Sequence, residues 1–413
     1  MRPIIFLTLQ LSCGLASLPP EFTGAEIAST LSRSAFLRGL ATVGGAAAAF
    51  RGAARVSVIG HPRIPPIPPS SKHEVIGEKI IRVGAGPESC RARVFYPATS
   101  SLNSDSSVSP YLTDGKATSD GMASLVGFDR LGLSFLLEHL SSAKSGGTTN
   151  AVPNYDTAFP LLVYSHGFGG NMDMAASLLR QIASEGIVVL ALEHTDGTAS
   201  RTVLADGSER KFQPTLFSRE QQLLRRSEEL LVGSQPSSFP PELRRMIDWD
   251  SVFLGGHSYG GPSALLALER SKKLEITGGN DVGIRGLILH DPALGRMTDS
   301  PTGAQDSVPI VSFTSDEYDR YGVRCGSTFH CRGAFHGNFV DAPLWAPSWV
   351  MRPLSKIIPA AGPADPVLLH RELAEAARKF VASVRRGKTR SDEASATIIE
   401  NTADAMTFES RKI

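Results

Sequence analysis

One short segment constrains the fold more than any other. It is Ser251-Val-Phe-Leu-Gly-Gly256-His257-Ser258-Tyr259-Gly260-Gly261, a G-x-S-x-G signature between a strand-like run and a helix-like run. A serine in that setting needs a very tight strand-to-helix turn. Gly256 and Gly260 remove side chains where such a turn would collide with the strand and helix beside it. Ser258 is then lifted to the rim of a sheet, at a helix N-terminus whose dipole favours developing negative charge. The flanking strand and helix separate this nucleophile elbow from a solvated glycine-serine turn.

The surrounding chain agrees with that demand. Residues 74–385 alternate strand-like and helix-like segments, which predicts an α/β sheet covered by helices. Runs at 79–83 and 92–96 read as an opening antiparallel pair. Residues 159–164 and 187–192 read as buried strands, with further strands at 252–255, 286–289 and 309–314. Helical spacing covers 172–185, 220–232 (with a polar face), 240–247, 261–270 and 371–384. The fold class expected is α/β, an α/β-hydrolase fold with a mostly parallel central sheet and helices on both faces.

A serine alcohol needs a base, and in this fold the order along the chain is serine, acid, histidine. His336, in the small-residue loop Gly333-Ala-Phe-His336-Gly-Asn-Phe339, is the candidate base, with His330 as its rival. His290 precedes an aspartate at a strand end, and His370 opens the final helix. Two aspartates can orient the base. Asp291 follows the strand at 286–289 and Asp316 follows the strand at 309–314, and position alone does not decide between them. An oxyanion hole needs two backbone N–H groups. Tyr259, after the serine, supplies one. Phe168, in the loop Tyr164-Ser-His166-Gly-Phe168-Gly-Gly170, is the candidate for the other, and His166 is read as bracing that loop.

Composition narrows the alternatives. Lys+Arg is 42 and Asp+Glu is 41, a net charge of +1, so no basic excess points to nucleic acid. No apolar run reaches the ~18–20 residues of a spanning helix, so no transmembrane anchor is expected. Four cysteines in 413 residues exclude a disulfide scaffold. The chain lacks a CxxC pair, an HExxH motif and a calcium loop, so neither a metal nor another cofactor is expected. Residues 1–16 read as a signal peptide. Residues 17–73 read as a disordered, acid-poor, transit-like and proline-rich segment, or a plain linker. The expected route is secretory and the destination secretion, with a plastid as the alternative. The catalytic domain is expected at 74–385, and 386–413 as a flexible tail.

Four blocks, in order, resemble the platelet-activating factor acetylhydrolase family, the plasma and isoform II type among α/β hydrolases. They are Ser165-His-Gly-Phe-Gly169; Ala183-Ser-Glu-Gly186 through Leu192-Glu-His194-Thr-Asp196-Gly-Thr-Ala199; Gly256-His-Ser-Tyr-Gly-Gly261; and Phe335-His-Gly-Asn-Phe339. The second block is the most diagnostic, because generic lipases lack it. The helical stretch 217–231 also matches the family's layout.

The resemblance implies Ser258 as nucleophile, His336 as base and Asp291, rather than Asp316, as acid. It implies the backbone amides of Phe168 and Tyr259 as the oxyanion hole. It further implies calcium-independent hydrolysis of the sn-2 acyl ester of platelet-activating factor, or of related short-chain or oxidised phospholipids, at a membrane or lipid-particle surface. Two departures bear on the acyl pocket: Pro292-Ala-Leu-Gly295 where the family has a longer aromatic-rich stretch, and Tyr259 where it commonly has Phe. A general carboxylesterase of the dienelactone-hydrolase or chlorophyllase kind is the alternative, and a catalytically inactive binding protein on this fold the third. For contact with lipid, 122–140 is read as an interfacial or a core helix, and Trp345 and Trp349 as interfacial or packed. Cys325 and Cys331 are six apart, and either bridge or remain free thiols.

Overall fold

Apolar runs without alternation become strands buried on both faces, and the centre of this molecule is built from them. The computed structural model describes residues 71–99, 106–130, 132, 134–276, 283–294, 307–319, 325–347, 351, 361–399 and 408–411. The signal-like segment, nearly all of 17–73, Leu131, Leu133 and Trp349 lie outside them.

The strands are β1 (Ile76–Val83), β2 (Cys90–Pro97), β3 (Ser107–Pro110), β4 (Lys144–Thr149), β5 (Phe159–Ser165), β6 (Val188–Glu193), β7 (Arg201–Val203), β8 (Glu209–Lys211), β9 (Ile247–His257), β10 (Ile284–His290), β11 (Ile310–Thr314), β12 (Ser327–Cys331) and β13 (Phe408–Arg411). All but the β7–β8 hairpin join one sheet, in the order β13-β12-β11-β10-β9-β5-β6-β2-β1-β4-β3. From β12 to β6 every neighbouring pair is parallel. β2 joins β6 antiparallel, and β1 pairs antiparallel with β2. Every residue of β5, β6 and β11 is buried.

The helices are α1 (Lys116–Leu125), α2 (Phe135–Glu138), α3 (Ala176–Ser184), α4 (Arg219–Gly233), α5 (Pro241–Arg244), α6 (Gly260–Ile276), α7 (Asp316–Asp319), α8 (Pro366–Arg385) and α9 (Ser391–Ile399). They cover both faces and so divide the core in two. One apolar cluster packs α3, α8 and α9 on the sheet through Leu179, Phe253, Leu373 and Ile398. The other packs α4 and α6 on the opposite face through Leu230, Leu254, Leu265 and Leu268. α8 starts cleanly because Asp365 caps the Val367 and Leu368 amides and Pro366 stands at the first helical position.

The structure corrects three sequence readings. The region 122–140 is not one helix: α1 ends at Leu125, Gly127 adopts a φ of 75°, and the chain resumes as the one-turn α2. Residues 240–247 hold only the one-turn α5 before β9 begins. Order extends past 385, because α9 buries Ala394 and Ile398 in the core and β13 pairs with β12. Within the polar-faced helix at 220–232, Arg226 and Glu229 are buried while Glu220, Gln221 and Glu228 are exposed. Cys325 and Cys331 are free, buried thiols rather than a bridge.

Candidate active site

The elbow is a backbone device. β9 ends at His257 and α6 starts at Gly260, so the whole turn is Ser258 and Tyr259. Ser258 carries a φ of 54°, left-handed and unfavourable for a residue with a Cβ. A Cβ on Gly256 would lie 2.5 Å from the Gly260 carbonyl carbon, and one on Gly260 would lie 2.1 Å from the Ser165 carbonyl oxygen. Only glycine fits at either position. The strained turn is held because Ser258 N–H donates to the His290 carbonyl at 3.0 Å, and the Ser258 carbonyl accepts from Gly261 and Ala293, both at 3.0 Å. The β9–β10 pairing thereby fixes where the serine stands.

Asp291 stands at the end of β10, also with positive φ, 45°. Its carboxylate is fully buried. One oxygen accepts from Ser315 N–H at 2.7 Å, and the other pairs with His336 Nδ1 at 2.6 Å. That leaves Nε2 of His336 as the ring nitrogen with no protein partner among the described residues. Ser258 Oγ likewise makes no hydrogen bond among the described residues. The rival residues pair with each other: His330 Nε2 meets Asp316 Oδ1 at 2.7 Å, and Asp316 also accepts from Gly333 N–H. This second pair ties down the loop that carries His336.

The loop 164–170 lies directly against the serine. A Cβ on Gly167 would be 3.0 Å from Ser258 Cβ. Gly169 N–H is held by the Thr198 carbonyl at 2.8 Å and Gly170 N–H by the Gly167 carbonyl at 3.0 Å. Between and beside them, the Phe168 and Tyr259 amides donate to no protein acceptor among the described residues. The Phe168 ring meets Tyr259 and Phe212 edge-on, at 5.8 and 5.3 Å. Leu125 reaches within 2.7 Å of where a Gly169 Cβ would be, so the end of α1 overhangs this corner. The Tyr259 hydroxyl, which Phe would lack, lies 3.3 Å from both the Arg219 carbonyl and Gln222 Oε1 of α4.

Beneath this loop lies a buried ionic brace that sequence reading left without a role. Arg226 of α4 donates to Asp196 Oδ2 at 2.8 Å, to the His166 carbonyl at 2.7 Å and to the Thr198 hydroxyl. Asp196 also accepts from Thr198 N–H and its hydroxyl, at 3.0 and 2.6 Å. Burial pushes the Asp196 carboxyl up, but Arg226, His194 and Thr198 outweigh it and bring it to about 2. His194 bridges Ser165 Oγ, at 2.7 Å from its Nε2, and Glu229 on its Nδ1. Burial keeps His194 and His166 neutral. Burial, then Asp196, raises Glu229 to about 7 despite bonds from Thr195. His166 Nδ1 bonds the adjacent Gly167 carbonyl at 2.7 Å, a bracing contact. The signal in the sequence was the charged block 193–199 itself.

Among the described residues no cluster of three or more His, Cys, Asp or Glu could hold a metal ion. No described helix is long and apolar enough to cross a membrane.

Comparison with known proteins bears on the fold and family. Residues 61–232 match the family model described as Platelet-activating factor acetylhydrolase, isoform II. Curated relatives include platelet-activating factor acetylhydrolase of Canis lupus familiaris, 26% identical over 212 residues, covering 44% of this chain and 47% of the relative. The Gallus gallus protein of the same name is 28% identical over 137 residues, covering 33% and 32%. The chain thus spans about half, or less, of the length of these relatives. A solved ferulic acid esterase from Streptomyces cinnamoneus superposes with a TM-score of 0.55 at 18% identity, covering 78% of this chain and 93% of that one. That likeness establishes an α/β-hydrolase fold. The segment matched by the family model stops before Ser258, Asp291 and His336.

Proposed function

Taking the chain as an esterase-type α/β hydrolase similar to the platelet-activating factor acetylhydrolase, isoform II, family, we propose that it hydrolyses acyl esters through Ser258. The observation that carries this reading is the bond from the buried Asp291 to the half-buried His336, beside a serine held in left-handed strain on an elbow. His336 Nε2 takes the Ser258 proton, the alkoxide attacks the ester carbonyl, and the Phe168 and Tyr259 amides receive the oxyanion. His336 then delivers the proton to the leaving alcohol, and water repeats the cycle to release the acid. Asp291 holds the ring orientation and balances the imidazolium.

The substrate class we propose is phospholipid with a short or oxidised sn-2 acyl chain, as the family likeness suggests. Phe168, Phe212, Tyr259 and Leu125 supply an apolar corner at the proposed oxyanion hole. The half-buried apolar residues Leu125, Val126 and Phe128 at the end of α1 and just beyond it give a surface on which a lipid interface would rest.

The test is a substrate panel on wild type and Ser258→Ala: a short sn-2 acyl phosphatidylcholine, a long-chain one and p-nitrophenyl butyrate. We expect turnover of the short-chain lipid, falling by ~10³-fold or more in the variant. Turnover of the butyrate ester without the short-chain lipid would move the function to a general carboxylesterase. Undiminished turnover by Ser258→Ala would reject the serine mechanism.

A further inference from the structure

His257 is the residue before the proposed nucleophile, and it touches all three parts of the site. Its Nε2 lies 3.2 Å from the backbone carbonyl of His336. A carbonyl only accepts, so Nε2 carries the hydrogen and donates. Its ring lies against the His336 ring, with centroids 4.4 Å apart and planes tilted by 35°. On its other nitrogen, Nδ1 sits 3.0 Å from the place a Gly167 Cβ would take, packed on the oxyanion loop. A second ring, Tyr318 of α7, stacks on the same His336 imidazole at 4.7 Å with planes 8° apart. The His336 N–H is meanwhile held by Glu317 Oε2 at 2.8 Å.

We infer that His257 is a positioning residue for His336: its Nε2–H tethers the base-carrying loop to the elbow and sets the gap that the Ser258 proton must cross. This rests on the serine mechanism proposed above. The elbow and the base-carrying loop are 79 residues apart along the chain for this bond, and their mutual distance is not fixed by the sheet alone. A tether between adjacent residues of the two reacting groups is the shortest device that fixes it. Burial, followed by the nearby His336 and His290, lowers the His257 imidazole well below its ordinary value, which favours the neutral ring that donates from Nε2. A misplacement of about 1 Å at such a contact costs up to ~10²-fold in rate.

The experiment compares His257→Phe, which keeps a ring without the donor, with His257→Gln, whose amide places an N–H at the Nε2 position. Each is assayed for kcat and KM on p-nitrophenyl butyrate and for the rate of fluorophosphonate labelling of Ser258. We expect His257→Phe to lose roughly 10–100-fold in kcat and in labelling rate with KM changed by no more than about twofold. His257→Gln should recover most of both. Equal rates in wild type and His257→Phe, or a Gln variant as slow as Phe, overturn the tether. If the Phe variant does not fold, His257→Asn takes its place. Its amide stops one atom short, and an Asn variant as fast as Gln overturns the tether equally. Absence of any Ser258 adduct in wild type overturns the serine mechanism itself, and the tether with it. Labelling of wild type alongside undiminished labelling of the variant overturns the tether alone.

Discussion

The two loops that flank Ser258 are buttressed in opposite ways. Under the oxyanion loop, Arg226, Asp196, His194 and Glu229 are buried charges and imidazoles whose polar atoms find partners in one another and in the loop's backbone. Under the base loop the buried polar groups are only half used. Asp341 accepts from Ser177 N–H at 2.8 Å and from the Tyr111 hydroxyl at 3.1 Å. Its other oxygen has no hydrogen-bond partner among the described residues, and neither do His370 Nδ1, Asn338 Nδ2, Ser177 Oγ or His290 Nε2. A fully paired network resists displacement because every shift breaks several charge-assisted bonds. Groups with free valences lose less when their loop moves. The proposed oxyanion hole therefore rests on the fully paired wall of the site, and the loop carrying His336, itself held by Asp291, Asp316, Glu317 and His257, rests on the less fully paired one.

Arg226→Met is the severest way to break this contrast. It leaves the Asp196 carboxylate and the His166 carbonyl buried without their donor, and we expect a loss of roughly 3–5 kcal/mol. Thermal and urea unfolding would show it. A melting temperature within a degree of wild type would mean the brace is not rigid.

Asp341→Asn probes the other wall through pH. Burial raises the Asp341 carboxyl to about 7, against bonds from Ser177 and Tyr111. The folded state therefore holds a proton that the unfolded chain has released between its ordinary value of 3.8 and about 7. Stability conferred by that proton is complete at low pH and drains away as pH rises through this window. The variant lacks this loss, so wild type minus variant should fall by up to a few kcal/mol between pH 4 and pH 8. Melting curves across that range give the difference, and a flat one would remove Asp341 as a buried acid.

A milder pair sharpens the contrast further. Thr198→Val deletes a hydroxyl bound to both Asp196 and Arg226, and should cost about 1.5–3 kcal/mol. Ser177→Ala deletes a buried hydroxyl with no partner among the described residues, and should stay within about 0.5 kcal/mol. Denaturant midpoints of the two variants should differ clearly. Equal midpoints would erase the distinction between the walls.

What the sequence disclosed followed how local each signal was. Strands such as β5 and β6 are continuous apolar runs, so their burial was legible residue by residue. The tight turn at Ser258 was legible because the glycines that permit it lie within two residues of it. The choice between Asp291 and Asp316 was not local. It depends on which strand end meets the loop at 333–339, and spacing left both open until the family likeness favoured Asp291. The structure gives each aspartate its own histidine. Arg226 and Glu229 were read only as part of a helix's polar face. Only partners 30 and 35 residues away make their burial tolerable, and periodicity carries no trace of them. Residues 122–140 misled in the opposite sense: apolar content implied one helix, but Gly127 and the short turns after it break the register. The polar tail hid a strand because four residues paired through their backbone need no apolar pattern.

That last strand has a consequence for how the protein behaves in a crowded solution. β13 runs antiparallel along β12, matching Thr328–Cys331 with Phe408–Arg411, and so stands at one flank of the sheet as its closing member. An uncovered flank of this kind invites another copy to add its own strand, the first step toward clumping. Shortening the chain before residue 408 would leave the chemistry near Ser258 untouched and yet bare the β12 flank, and precipitation on concentrating the shortened protein would be the sign.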